Sequence, residues 1–192
     1  IYHTPEVKEQ LEKFGVPVLV ERSSYESGPL ARMEWIKCIG LLLGKAEEAE
    51  RIFADQLARI EPLLDQDPTG KTVAFFSVTG NNVRKGGDYV AQMIAMAGGT
   101  YLFADLAENG NSLSTMNIPQ ETFYAKAREA DVLIYNSTIE GVVDTRQQLI
   151  EKCAMLADFK AVQSGDCWCT AKSFFQQTMS LPDLVVDMHR VF

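Results

Sequence analysis

Two short apolar runs, each bounded by turn-forming residues, constrain the fold of this chain more than any other feature. Residues 71–78 and 131–135 are almost continuously apolar over the length of a strand, which indicates strands buried on both faces. Strands that alternate with helices predict a parallel sheet with right-handed crossovers. The fold class is therefore α/β, a three-layer lobe with a central, mostly parallel sheet. The other predicted elements are strands over 100–103 and 166–169 and helices over 89–97, 117–129, 145–156 and 172–191.

The sequence before this region predicts a helical connector. Apolar residues recur at helical spacing over 33–43 and 49–64, so helix is expected over 29–66, with a break at Gly44 and Lys45. A helix that starts at Thr4 and Pro5, followed by a strand over 16–20, is expected to precede it. Because the sequence opens in the middle of a structural unit, we expect a piece of a longer protein. The predicted division is the tail of an N-terminal lobe over 1–28, connector helices over 29–66 and a C-terminal ligand-binding lobe over 67–192.

The charge and hydropathy of the chain exclude several classes of partner. The 192 residues carry 18 Lys and Arg against 26 Asp and Glu, a net charge of -8. Nucleic-acid binding needs a basic face, so no nucleic acid is expected as a partner. No apolar run approaches the roughly 18 residues that a transmembrane helix needs.

The predicted carboxyl ends of the strands give candidate ligand-binding residues. Ligands of open α/β sheets bind outside these ends, where the sequence places Arg84, Trp168 and Lys172. An arginine and a tryptophan suit an anionic or aromatic ligand. The loop over 81–88 also contains Lys85 and two glycines before a helix, so it either binds an anion or is a capped helix start with a solvated basic loop. Its spacing matches neither a Walker A loop nor a dinucleotide fingerprint.

The cysteines and histidines form no catalytic or metal-binding pattern. No CxxC pair or zinc spacing occurs, and small buried side chains are the favoured interpretation of the cysteines. No catalytic triad or carboxylate pair can be recognised. We therefore assign no catalytic residue, no metal site and no cofactor. The four cysteines are Cys38, Cys153, Cys167 and Cys169, and the two histidines are His3 and His189.

Five segments carry a resemblance to a known family. They are YESGPLARMEWI (25–36), VRKGGDYV (83–90), LSTMN (113–117), LIYNST (133–138) and WCT (168–170). These segments resemble bacterial ABC-transporter solute-binding proteins of the helical-backbone class, which take up ferric siderophores, haem, cobalamin and some metals. The resemblance spans essentially the whole chain but only the later part of such a protein.

The resemblance implies a fold, a function and a location. The lobe would be joined by a long connector helix to the remnant of a second α/β lobe, with an iron siderophore or related metal chelate bound between the lobes. The protein would be no enzyme; it would deliver its ligand to an ABC permease. It would be periplasmic or extracellular, as a membrane-anchored lipoprotein in its full-length form.

The resemblance also implies roles for individual residues. Arg84 and Trp168 would face the cleft, with Tyr135, Lys85 and Lys172 as weaker candidates for ligand contact. Glu121 matches the carboxylate that docks on arginines of the permease.

Two other functions stay open at this point. An enzyme domain with a flavodoxin-like or nitrogenase-like fold would need a phosphate fingerprint or cluster cysteines, and the sequence has neither. A stand-alone α/β interaction module would expose an apolar patch and dimerise.

Overall fold

The computed structural model describes residues 5–106 and 114–192. The strands are β1 (Thr72–Ser77), β2 (Asn82–Arg84), β3 (Thr100–Tyr101), β4 (Thr115–Asn117), β5 (Val132–Tyr135) and β6 (Cys167–Cys169). The helices are α1 (Pro5–Lys13), α2 (Pro29–Leu42), α3 (Ala46–Leu57), α4 (Glu61–Leu64), α5 (Tyr89–Met96), α6 (Gln120–Ala127), α7 (Ser137–Glu140), α8 (Arg146–Lys152), α9 (Lys160–Ser164) and α10 (Leu181–Val191). None of the described helices is long and apolar enough to cross a membrane.

The six strands form one mixed sheet in the order β4-β2-β1-β5-β6, with β3 also paired to β1. The β1–β5, β5–β6 and β1–β3 pairs are parallel, as predicted. The β1–β2 and β2–β4 pairs are antiparallel. Because β2 and β4 are only three residues long, no apolar periodicity revealed them in the sequence.

Helical layers cover both faces of this sheet. On one face Phe75 packs against Phe174, with 5.7 Å between the ring centroids. On the other face Phe76 packs against Phe123 of α6 at 5.0 Å, and Phe123 in turn stacks on Phe159. Since successive residues of a strand point to opposite faces, β1 is buried on both sides. The three-layer α/β lobe is confirmed.

The long connector helix is not confirmed. The chain reverses its direction at Gly44, which has φ +66°. Helices α2 and α3 therefore form an antiparallel hairpin. Across the hairpin the Lys37 ammonium lies 3.2 Å from the Glu50 carboxylate and 4.2 Å from the centroid of the Phe53 ring. The positive φ of Gly44 ends α2, which periodicity alone does not show.

Gly40 sets how closely α2 and α3 approach each other. A Cβ atom at this position would lie 2.4 Å from the Cβ of Ala49 and 3.0 Å from the carbonyl oxygen of Lys45. Both neighbours belong to the turn and to α3, so they cannot move without separating the helices.

We predict that Gly40→Ala destabilises the protein despite the higher helix propensity of alanine. Overpacking should lower the free energy of unfolding by about 1–3 kcal/mol, measured by urea denaturation. Gly87→Ala is the matched control, because its added Cβ would meet no atom within 4 Å. Equal stability of the two variants would show that the hairpin is not packed as described.

Several local predictions were wrong. Residues 16–20 form no strand, since no described strand pairs with them, and α1 buries no residue. The helix predicted to start at Asn117 starts instead at Gln120, because Asn117 ends strand β4. The last helix is α10 alone; two short 3-10 turns precede it, and Pro182 lies in its first turn, where a proline is tolerated. The cap at Asp88 is confirmed: its carboxylate accepts a hydrogen bond of 3.0 Å from the Val90 N–H.

Candidate ligand-binding edge

The carboxyl edge of β1 and β5 is closed by a buried amide. The Asn136 side chain donates a hydrogen bond of 3.0 Å to the Ser77 hydroxyl. Its carbonyl oxygen accepts hydrogen bonds from the Thr138 N–H at 3.2 Å and the Thr138 hydroxyl at 2.8 Å. Asn136 therefore ties the ends of two strands together and caps α7.

A second pair of buried groups ties α7 to the loop after β6. The Ser137 N–H donates a hydrogen bond of 3.0 Å to the Thr170 hydroxyl, and the Ser137 hydroxyl donates to the Thr170 carbonyl oxygen. Ser137 is completely buried and Thr170 nearly so. Because removal of either partner would leave a buried polar group unpaired, this contact fixes the start of α7.

Glu140 fixes the other end of α7. Its carboxylate accepts hydrogen bonds from the Val78 N–H at 3.2 Å, from the Thr79 N–H, and from the Tyr135 hydroxyl at 3.2 Å. Burial raises the pKa of Glu140, but the hydrogen bonds from Thr79, Tyr135 and Val78 outweigh it and hold the pKa below its ordinary value. The turn 136–141 is thus held at both ends.

We predict that Glu140→Ala lowers the free energy of unfolding by about 1–2 kcal/mol at pH 7, because three donors lose a charged acceptor at a half-buried site. Since folding lowers the pKa, this contribution is complete above the ordinary glutamate value of 4.5 and is lost as the pH falls through the lower folded pKa. Urea denaturation from pH 7 to pH 3 measures both effects.

Asp144→Ala is the control for this experiment, because Asp144 is an exposed carboxylate in the loop that follows. If Glu140→Ala lowers the free energy of unfolding by the same amount at pH 7 and at pH 3, the ionised carboxylate of Glu140 does not stabilise the fold.

Arg84 lies two residues before the carboxyl end of β1, at the same level of the sheet as Trp168. Strand β2 runs antiparallel to β1 with Val83 opposite Phe76, so Arg84 lies at the level of Phe75. Its guanidinium lies 4.3 Å from the centroid of the Phe175 ring and donates a hydrogen bond of 3.0 Å to the Ser114 hydroxyl. The side chain is only 12% exposed.

A second arginine lies close to Arg84. The guanidinium of Arg32, from α2, lies 3.8 Å from the centroid of the Tyr89 ring and donates to the backbone carbonyls of Glu26 and Ser24 at 2.8 and 2.7 Å. Burial lowers the pKa of Arg32, and the charge of Arg84 acts in the same direction. The two cations therefore repel each other across the contact between α2 and the sheet.

Asp88 is the carboxylate that interacts with both arginines. It lies 3.7 Å from the Arg84 guanidinium and caps α5. Burial raises the pKa of Asp88, although both arginines oppose this shift. The Glu26 carboxylate also acts on Arg32, so the two guanidiniums are balanced by two carboxylates.

Trp168 lies on the same face of the sheet as Arg84, but on β6, which β1 and β5 separate from β2. It pairs in register with Ile134, which pairs with Phe75, so these side chains share one face. Strand β6 is three inter-strand spacings from β2, about 14 Å. Trp168 is 48% exposed, and Lys172 lies exposed in the loop after β6. The structure therefore separates Trp168 from Arg84 by three strand spacings.

Two of the weaker candidates are buried. The Tyr135 hydroxyl is within hydrogen-bonding distance (3.2 Å) of Glu140 and of the Gly141 carbonyl. Its whole side chain is inaccessible, and burial raises its pKa. Lys85 is 8% exposed. Both weaker candidates for ligand contact are therefore almost inaccessible in this structure.

Glu121 lies exposed in the first turn of α6. Strand β4 is antiparallel to β2 and hence runs in the direction of β1, so α6 starts at the carboxyl edge of the sheet. Glu121 is thus on the same edge as the turn 136–141.

The hydrogen-bonded residues of this edge were missed by sequence reasoning. An Asn-Ser-Thr sequence directly after a buried strand is a helix-capping signal that could have identified Asn136 and Ser137. No local signal indicates the contact of Arg32 with Tyr89 or that of Glu140 with Val78 and Thr79, because these partners are distant in sequence.

The described residues contain no group of three or more His, Cys, Asp or Glu side chains able to hold a metal ion. The four cysteines are free and half-buried. Cys167 and Cys169 share the face opposite to Trp168, as the strand pattern predicted.

Solved structures of binding proteins share this fold. The periplasmic haem-binding protein HutB of Vibrio cholerae matches 97% of this chain and 72% of its own, with a TM-score of 0.76 and 15% identity. The periplasmic haem-binding protein RhuT from Roseiflexus sp. RS-1 matches 98% and 73%, with a TM-score of 0.72 and 22% identity. An ABC-type Fe3+-hydroxamate transport system from Saccharomonospora viridis matches 96% and 64%, with a TM-score of 0.72 and 18% identity. The chain has the fold of periplasmic solute-binding proteins.

This result confirms the fold expected from the sequence resemblance. The chain spans 59% to 73% of the length of such structures. Neither a protein-family model nor a curated protein matches it.

Proposed function

We propose that this chain is the C-terminal part of the solute-binding component of an ABC importer, which binds a metal chelate and delivers it to a membrane permease. The observation that carries the proposal is the shared fold: 96% to 98% of the chain aligns with binding proteins whose names specify haem, Fe3+-hydroxamate or vitamin B12. By the same analogy the protein works outside the cytoplasm and is not an enzyme. A lipoprotein anchor in the full-length form belongs to the proposal as well.

The ligand in this proposal lies between two lobes. The division keeps residues 1–28 as the tail of one lobe, 29–66 as the connector and 67–192 as the other lobe. It is supported by the exposed apolar side chains of the first segment, among them Phe14 at 85% and Leu19 at 62%. The fold is stabilised when another part of the protein covers apolar side chains of this kind.

Within the second lobe, Arg84 and Trp168 are the proposed main ligand contacts. Arg84 supplies a positively charged group whose position is fixed by Phe175 and Ser114. Trp168 offers an exposed ring that can pack on the ligand, and Lys172 is an exposed cation in the loop after β6. Tyr135 and Lys85 remain weaker candidates for ligand contact, since both are buried.

We predict that Arg84→Ala weakens chelate binding by about 1.5–3 kcal/mol, since a charged hydrogen bond is lost. This corresponds to roughly a 10- to 150-fold increase in Kd. Binding is measured by tryptophan fluorescence on the full-length product of the gene, with haemin, ferric hydroxamates and cobalamin as ligands. Arg128→Ala, which removes an exposed arginine near Tyr124, is the matched control.

Variants of the two tryptophans distinguish a fluorescence change at the proposed site from one that arises elsewhere in the protein. Trp168→Phe should abolish the fluorescence response, whereas Trp35→Phe should keep it, because Trp35 lies on α2 with its indole N–H bonded to Glu26. Unchanged affinity in Arg84→Ala would remove Arg84 from the site. No saturable response to any ligand would contradict the proposed function.

We predict that Glu121→Ala reduces uptake by cells while leaving the Kd for the chelate unchanged, because Glu121 is proposed to contact the permease and not the ligand. The measurement is uptake of the radiolabelled chelate in a strain that depends on this importer, beside the binding titration. Glu129→Ala, an exposed carboxylate after α6, is the control. A normal uptake rate in Glu121→Ala would contradict the docking role.

A self-associating interaction module is the second candidate function. It is favoured by Leu41, Leu42 and Leu43, which are 63% to 71% exposed at the tip of the α2–α3 hairpin. Contiguous exposed apolar side chains of this kind mark interaction surfaces. A protein that binds no chelate in the titration above but is dimeric by light scattering would support this candidate.

A further inference from the structure

We propose that a cavity at the amino end of the sheet binds a small organic cation, a primary ammonium attached to a short apolar body. The cavity lies between the segment 63–68, the end of α5 and the last turn of α10, and its volume is about 310 Å³. This volume is at the lower end of the range of small-molecule pockets. The site is separate from the candidate ligand-binding edge and goes beyond the proposed function.

The position of the cavity follows from the starts of two strands. Pro68 precedes β1 and Gly98 precedes β3, and these strands pair in parallel from Thr72 and Thr100 onward. The cavity therefore lies at the amino ends of the strands. Because β1 is six residues long, the carboxyl edge with the turn 136–141 is about 20 Å away.

Hydrogen bonds hold the walls of the cavity together. The Thr69 N–H and the Thr69 hydroxyl each donate to the Gly98 carbonyl oxygen at 2.9 Å, which ties the chain after α4 to the end of α5. The His189 ring, in the last turn of α10, is bonded to the Ala97 carbonyl oxygen at 3.1 Å. Walls that are fixed before binding lose little conformational freedom when a ligand enters.

Most of the wall is apolar and can be reached from solvent. Ala95 is exposed on α5, and Leu64 is 44% exposed at the end of α4. A ligand with an apolar body would remove these surfaces from water, which favours binding. The apolar lining residues are Leu63, Leu64, Pro68, Ala95 and Met96.

Each polar side chain of the cavity offers a hydrogen-bond acceptor. Because a carbonyl oxygen only accepts, His189 donates to Ala97 through Nδ1–H, and Nε2 of the neutral ring is left to accept. The Gln66 amide donates from Nε2 to the Pro62 carbonyl oxygen at 2.9 Å, and its Oε1 is left to accept. The Asp67 carboxylate accepts only. Three acceptors match the three N–H donors of a primary ammonium.

The charges around the cavity favour a cation. Asp67 is the lining residue with a formal charge when His189 is neutral, and no ion pair of Asp67 with another described residue is found. Arg190, which follows His189 in α10, is paired with Asp187 at 3.0 Å. Helices α5 and α10 both end beside the cavity, and a helix C-terminus carries a partial negative charge. An anion would therefore be repelled.

The test compares 2-phenylethylammonium with neutral 2-phenylethanol in a nuclear magnetic resonance titration of the full-length, 15N-labelled product of the gene. The ammonium should have a Kd about tenfold lower than the alcohol, because it alone forms charged hydrogen bonds. The amides of Gln66 and Gly98 should shift most. Asp67→Asn should raise the Kd for the ammonium about fivefold, since a charged acceptor is lost. Asp65→Asn, at an exposed carboxylate outside the cavity lining, is the matched control.

A second variant fills the cavity. Ala95→Phe places a ring in the space beside Met96 and should abolish binding of the ammonium, while chelate binding at the carboxyl edge keeps its wild-type Kd. Ala125→Phe, at an exposed alanine of α6, controls for the added ring. Because both alanines are exposed, thermal unfolding should be unchanged.

Four results would overturn the inference. They are an equal Kd for the ammonium and the alcohol, an Asp67→Asn variant that binds the ammonium as tightly as the wild type, shifts centred on Asn136 and Thr170, and no saturable shift in the millimolar range. None of these results affects the proposed function, which fails only if no chelate binds the wild type.

Discussion

The parallel pairing of β1 with β5 is the contact on which the other features depend. Four consecutive residues of each strand pair in register, from Val73 with Val132 to Phe76 with Tyr135, and all of them are buried. This pairing brings Ser77 beside Asn136 at the carboxyl edge, so one buried amide can join both strand ends and start the next turn. The position of the candidate site therefore follows from the register of two apolar strands.

The same register determines on which face of the sheet each strand side chain lies. Arg84, Phe75, Ile134 and Trp168 form one row across the sheet on one face, whereas Cys167 and Cys169 point to the other. A shift of one residue in any of these strands would move Trp168 into the opposite layer. The exposure of the tryptophan is thus a consequence of strand pairing.

The sequence predicted the parts of the fold that are encoded locally. The runs at 71–78 and 131–135 became β1 and β5, and Asp88 caps its helix, because a buried strand and a helix cap each leave a short-range pattern. Strands β2 and β4 were missed because three residues are too few for periodicity. The α2–α3 hairpin was missed because its turn depends on the conformation of Gly44 and the close contact at Gly40.

For the candidate site, the sequence identified residue types but not their environment. Arg84 and Trp168 were predicted as ligand contacts, but their separation by three strand spacings depends on the order of the strands in the sheet. The Tyr135 hydroxyl and the Glu140 carboxylate are hydrogen-bonded across a turn, so the burial of Tyr135 and the role of Glu140 depend on the same contact. Long-range contacts of this kind are set by tertiary packing, which local patterns do not contain.

The most direct test of this account is a nuclear magnetic resonance titration of the full-length, 15N-labelled protein with a high-spin ferric chelate, with the gallium complex as the diamagnetic reference. The account predicts that paramagnetic broadening is strongest for the Trp168 indole and for the amides of Asn136, Ile139 and Thr170. Broadening centred instead on the opposite end of the sheet, around Gly98 and His189, would contradict the placement of the ligand at the carboxyl edge.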